Sequence, residues 1–160
     1  MREALLAIIE RNSRIDIKEL AILLGVEEAA VANELANMEA EGIICGYHTL
    51  IDWEKTSNEK VTALIEVRVT PQRGQGFDSI AERIYQYPEV QSVYLISGGY
   101  DLMVILEGKT LREVSAFVSD KLSTLDSVLS AATHFILKKY KDHGTVLARK
   151  KEDEREMITP

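Results

Sequence analysis

The spacing of apolar side chains changes from helical to strand-like after the first sixty residues, and that change limits the folds open to the chain. As far as residue 42 the apolar residues recur at intervals of three and four, the spacing of helices that bury one face. From residue 61 they alternate. Val61, Ala63, Ile65, Val67 and Val69 fall on one side of a segment that ends at Pro71, the pattern of a half-buried strand. The polar stretch DWEKTSNEK at 52–60 separates the two regimes and reads as a hinge. A small all-helical unit followed by a mixed helix-and-sheet unit is expected, which makes the chain α+β.

In the first regime, residues 2–12 place Ala4, Leu5, Ile8 and Ile9 on one helical face. Asp16 is a good N-cap, and Glu19 three residues later completes the pattern of a capping box. The helix it opens, 16–24, is expected to bury Ile17, Leu20, Ala21 and Leu24, with Gly25 in the left-handed turn position beyond it. A third helix over 27–41 turns Val31, Leu35 and Met38 inward and stops at Gly42. Residues 43–51 read as an extended segment leaving the bundle. Three short helices with a glycine turn between the second and third are a helix-turn-helix candidate.

In the second regime, a loop at 72–76 leads to a helical stripe of Phe77, Ile80, Ala81, Ile84 and Tyr85 that stops at Pro88. A strand at 90–97, a turn at Gly98-Gly99 and a strand at 100–107 follow. Thr110 caps a helix carrying Leu111, Val114, Phe117, Val118 and Leu122, and a last strand spans 128–140. The order β-α-β-β-α-β is the ferredoxin-like arrangement. The expected organisation is a helix-turn-helix domain over 1–50, a hinge over 51–60, a ferredoxin-like domain over 61–141 and a tail over 142–160. The charged run RKKEDERE at 149–156 reads as a solvated helix or a mobile end.

Composition narrows the function. A single cysteine, Cys45, excludes an internal disulfide framework and a Cys-rich zinc site, and it reads as a small buried residue. Three histidines, at 48, 134 and 143, leave little for a metal cluster, so neither metal nor cofactor is expected. With no run of 18 apolar residues and no leader pattern, a cytoplasmic protein without a membrane partner is expected. The net charge of −7 at first argues against nucleic acid, since proteins that grip phosphate usually carry excess Lys and Arg. The excess sits mostly in the first fifty residues, with four bases against nine acids, whereas 61–141 carries nine of each.

The segments IDIKELAILLGVEEAAVANELANMEAEGIICGY at 15–47, VYLISGGYDLMVIL at 93–106 and LDSVLSAATHFILKKYK at 125–141 stand in the right order and spacing. With them the chain resembles the Lrp/AsnC (feast/famine) family of transcription regulators. The resemblance covers residues 1–141. It implies a winged helix-turn-helix reading double-stranded DNA, and a ferredoxin-like (RAM-type) domain that dimerises and senses a small molecule. It further implies homodimers assembling into octamers, with an amino acid held near the loop between the second and third strands of the C-terminal half. That loop matches here at Gly98, Gly99, Tyr100 and Asp101, and the last-strand threonine of the pattern falls on Thr133. Asp101 would partner the ammonium group, and backbone N–H groups of the glycine turn would receive the carboxylate. The bland reading is that Gly-Gly is only a hairpin turn and Asp101 only stabilises it.

The third helix departs from the family. Glu27 takes the cap position, and 27–41 holds five acids (27, 28, 34, 39 and 41) with no Lys or Arg. At about 100° per residue, however, the face opposite Val31, Leu35 and Met38 carries Ala29, Asn33 and Asn37, all uncharged. Asn pairs bidentately with adenine in the major groove, so Asn33 and Asn37 are candidate base readers beside Ala29. Arg14 and Lys18, flanking the start of the second helix, are candidate phosphate contacts together with His48. The expected function is a sequence-specific DNA-binding regulator responsive to an amino-acid effector. The alternative is an effector-binding or interaction protein whose degenerate helix-turn-helix no longer grips DNA. An enzyme is not expected. No Ser/His/Asp or Cys/His grouping stands out, and pairs such as Asp78 with Glu82 look like solvated helix faces.

Overall fold

The computed structural model describes residues 1–58, 60–71, 73–74 and 76–147, which form two compact units, Met1–Leu50 and the chain from Ile51 onward.

The first unit holds α1 (Arg2–Arg11), α2 (Ile17–Leu24) and α3 (Glu28–Ala40). Asp16 caps α2 by accepting the Glu19 backbone N–H at 2.7 Å, satisfying one of the amides that a helix start leaves free. Gly25 ends α2 with φ +65°, and the Val26 N–H reaches back to the Ala21 carbonyl, the left-handed stop that glycine adopts without steric cost. Leu5, Leu20, Ala21, Val31 and Met38 form the core, with Leu35 and Leu24 packed against it. Ile17, expected inside, is 40% exposed because the helix turns it toward solvent at its first residue, and Ala4 is exposed as well. Cys45 is also exposed, contrary to the buried reading. It follows α3 in a segment with no strand partner, and its thiol donates to the Gly42 carbonyl.

The second unit opens on a 3-10 turn (Trp53–Lys55), so the polar stretch expected as a hinge carries local structure and clusters with the sheet. Then come β1 (Val61–Val69), α4 (Phe77–Tyr85), β2 (Val90–Leu95), β3 (Leu102–Gly108), α5 (Leu111–Phe117) and β4 (Val128–Phe135). The sheet is antiparallel in the order β2-β3-β1-β4, as a β-α-β-β-α-β chain requires when both helices cover one face. Ile65, Val67, Val104 and Leu106 lie under Ile80, Ile84, Val114 and Phe117. The opposite face carries Leu64, Glu66, Arg68, Met103 and Ile105, alternate residues of the same two strands. Thr110 caps α5 as expected, and the helix passes into a π turn (Val118–Leu122) that brings Leu122 into the core.

The last strand is shorter than its apolar pattern suggests. Pairing with β1 stops at Phe135, and a two-residue hairpin of β5 (Lys141–Asp142) and β6 (Thr145–Val146) follows. His143 and Gly144 make its turn, both at positive φ. The hairpin thus spans the position at which the tail was expected to begin, and the charged run at 149–156 lies outside the described residues. No described helix is long and apolar enough to cross a membrane.

Candidate nucleic-acid and effector interfaces

In the helical unit, Ala29, Asn33 and Asn37 are all exposed along α3, while Val31 and Met38 on its other side are fully buried. Lys18 is exposed on α2 and lines a shallow depression with Ile22, Gly25, Glu27 and Glu28 at the start of α3. Arg14 is exposed just before α2, its backbone N–H on the Asn12 side chain. His48 is exposed and lies against the Gly46 backbone, where an added Cβ would stand 3.3 Å from its Nε2. Ala29, Asn33 and Asn37 thus share one surface, with Lys18 near its start, and His48 belongs to the segment that follows α3.

Three of the five acids of this region are tied up in a way its sequence spacing does not display. Arg2 on α1 donates through Nε to Glu34 and through its terminal nitrogens to Glu41, at 2.7 and 3.1 Å. The Tyr47 hydroxyl donates to Glu39 at 2.8 Å. Arg2 draws the Glu41 carboxyl below its usual 4.5, and Glu39 pushes the Tyr47 phenol above its ordinary value. Glu27 is the N-cap of α3 yet makes no capping bond with its side chain. Glu27 and Glu28 sit where the helix dipole favours negative charge.

The Arg2 clamp has a testable pH signature. A carboxyl whose pKa is lowered on folding adds stability above its unfolded value, and that stability disappears as pH falls through the folded one. Arg2→Ala should therefore lower the melting temperature of the helical unit modestly at neutral pH, as solvent-exposed pairs do. The gap to the unmodified chain should close below about pH 4.5. Paired thermal melts at neutral and acid pH check this, and a gap that persists in acid would assign the effect to packing of the Arg2 stem.

In the sheet unit, the loop from Ile96 to Asp101 closes with the Ile96 N–H on the Asp101 carbonyl at 2.8 Å. Asp101 also joins this loop to β1. Its N–H donates to the Val67 carbonyl at 3.0 Å, and its Oδ2 accepts the Val69 N–H at 2.9 Å. No described residue donates to its other oxygen. The tie continues the β3 edge of β1 one step past its last ladder pair, Val67 with Leu102, so the carboxylate replaces a ladder partner at the strand end. Gly98 has φ +151°, a conformation side chains rarely adopt, and the space around both Gly98 and Gly99 is open. Tyr100 is half-buried. Gly98, Gly99, Tyr100 and Asp101 are thus gathered in one loop. Thr133 is not among them. It stands opposite Ile65 on β4, with β1 between it and β3, about 10 Å across the sheet at two strand spacings.

Comparison with known proteins fits this geometry. Residues 62–146 match the family model of the Lrp/AsnC ligand binding domain. The chain is 49% identical over 157 residues to the HTH-type transcriptional regulator YugG of Bacillus subtilis (strain 168), itself uncharacterized, covering 98% of this chain and 95% of that one. It is 28% identical to the proline dehydrogenase transcriptional activator of Rhodobacter capsulatus, covering 77% and 79%. Among solved structures, the transcriptional regulator NMB0573 of Neisseria meningitidis, in complex with L-Met, superposes with a TM-score of 0.69 at 24% identity, covering 86% of this chain and 88% of that one.

Proposed function

The chain belongs to the Lrp/AsnC family, and from that premise we propose that it is a sequence-specific DNA-binding transcription regulator whose assembly or DNA affinity responds to a small amino-acid effector. The observation that carries the DNA-reading part is the outward surface of α3. It is uncharged at Ala29, Asn33 and Asn37, and three of the acids around it are held by Arg2 and Tyr47. Asn33 and Asn37 read bases, while Arg14, Lys18 and His48 approach phosphates. The effector lies at the loop of Gly98, Gly99, Tyr100 and Asp101, whereas Thr133, two strands away on β4, lies outside it. A homodimer forms through the helix-free face of the sheet, where Leu64, Met103 and Ile105 offer apolar surface, and dimers assemble further to an octamer. Several heads then share one DNA, which raises affinity through effective concentration.

Polarisation titrations with the DNA upstream of the chain's own gene, at low and high salt and with each amino acid in turn, test the reading. Specific binding with a shallow salt dependence per head is expected, because few cations are offered to phosphate. The absence of Lys and Arg from α3 favours the second reading, an interaction protein that does not hold DNA. Failure to bind any specific fragment at low salt would select it.

Asp101 needs a careful variant, since its carboxylate serves the fold. Asp101→Ala strands the Val69 N–H and should cost about 1–3 kcal/mol of stability. Asp101→Asn keeps an oxygen for that N–H and removes only the charge. It should melt close to the unmodified chain and lose the effector's thermal shift. A full shift in Asp101→Asn would show that the carboxylate does not hold the ammonium.

A further inference from the structure

A cavity of about 400 Å³ lies where the chain enters the sheet, between the 3-10 turn, the start of β1 and the segment that follows β4. Its size is within the range of small-molecule sites. Trp53, Val61, Ile136 and Leu147 give it apolar walls. One polar side chain in it is unaccounted for. Thr62 lines the cavity and is only 8% exposed. Its backbone is committed, since its carbonyl accepts the Ile136 N–H at 2.9 Å and the residue pairs with Glu107 of β3. No described residue bonds to its hydroxyl. That oxygen is not sealed inside the protein, because the one fully enclosed side-chain oxygen without a partner among the described residues is Glu89 Oε2. Thr56, the other hydroxyl of the lining, donates to the Trp53 carbonyl at 2.9 Å. The charges answer one another. Lys60 pairs with Glu107 at 3.3 Å, Asp52 with Lys55 at 2.7 Å and Lys139 with Asp142 at 3.5 Å. Glu54 and Lys138, the lining charges outside these pairs, are both exposed and opposite in sign.

We propose that this cavity is a binding site for a small uncharged aromatic molecule that carries one hydrogen-bonding group, such as a primary amide. Its ring lies against Trp53, Val61 and Ile136, and its carbonyl oxygen accepts from Thr62 Oγ1. A buried hydroxyl without a partner is costly and calls for one. The balance of charge selects a neutral ligand, because a charged one would leave water for a lining that has no counter-charge to spare. The site is separate from the Gly98 loop. Thr62 pairs with Glu107, whereas Asp101 bonds to Val67, which puts the two roughly 17 Å apart along β1 at strand rise. The site is independent of the DNA-reading and effector functions proposed above.

The test is calorimetric titration of the full chain with indole-3-acetamide and, in parallel, with indole-3-acetate and tryptamine, which keep the ring and add a negative or a positive charge. Saturable binding of the amide is expected, with both charged analogues at least about fivefold weaker. Thr62→Val keeps the shape of the side chain and removes the hydroxyl. It should weaken the amide about three- to tenfold, the worth of one hydrogen bond, while the melting temperature holds or rises because no internal bond is lost. Thr62→Ser restores the hydroxyl and should restore the affinity. Asp101→Asn should leave amide binding unchanged. A cavity that holds only water would show no saturable binding and would overturn the proposal. So would a charged analogue that binds as tightly as the amide, undiminished binding in Thr62→Val, or equal loss in Thr62→Val and Thr62→Ser.

Discussion

Met38→Ala should strongly destabilise the helical unit while leaving the sheet unit's stability unchanged. Met38 is fully buried, and its carbonyl receives the N–H groups of Ile43 and Ile44 as the chain leaves α3. Truncating a buried Met to Ala typically costs about 2–5 kcal/mol. The loss is felt more in a fifty-residue unit, because small domains bury little surface and hold only a few kcal/mol in reserve. The described core of the helical unit has five buried residues against twelve in the sheet unit, so the first is expected to melt first even unmodified. Calorimetry should then show two transitions, with only the lower one displaced by the substitution. DNA binding should vanish at temperatures where an amino-acid thermal shift on the upper transition survives. A single transition moving as a whole would show that the two units fold cooperatively.

Asn33→Ala and Asn37→Ala should each reduce affinity for the chain's specific DNA by about 5- to 150-fold, the equivalent of about 1–3 kcal/mol for a bidentate base contact. Both side chains are exposed, so the melting temperature should hardly move. Affinity for random DNA and the slope of log affinity against log salt should also stay put, because every phosphate partner is still present. Arg14→Ala and Lys18→Ala should do the reverse, weakening all DNA alike and flattening the salt slope by about 0.9 for each phosphate no longer neutralised. If the Asn variants keep full specific affinity, the outward face of α3 does not read bases, and the uncharged surface is only a solvated helix side.

The elements that position both interfaces are visible in the sequence because their signals are local. Asp16 and Thr110 cap the helices expected of them, Gly25 ends α2, and the alternation from Val61 to Val69 is β1. What stays hidden depends on residues far apart in the chain. Arg2 stands 32 and 39 positions from the two carboxylates it neutralises, so the acidity of α3 reads as more hostile to DNA than the folded surface is. The bond from Asp101 to Val69 also spans 32 positions, and it gives the carboxylate a structural duty beside the one the family resemblance implies. The apolar run past Phe135 continues the strand pattern, but β1 ends its pairing there and Leu137 is left 93% exposed. Cys45 reads as buried by type, and only the course of the chain after α3 turns it outward.

The 3-10 turn that opens the sheet unit holds the only tryptophan in the chain. Its ring lies 4.1 Å beneath the Lys60 ammonium and helps to line a cavity of about 400 Å³ with Thr62, Glu107 and Ile136. The molecule therefore carries a native fluorescent reporter at one known place, where the polypeptide enters the sheet. Emission from Trp53 can be followed without a label while DNA or an amino acid is added. A change in its colour or quenching would report on the surroundings of that entrance.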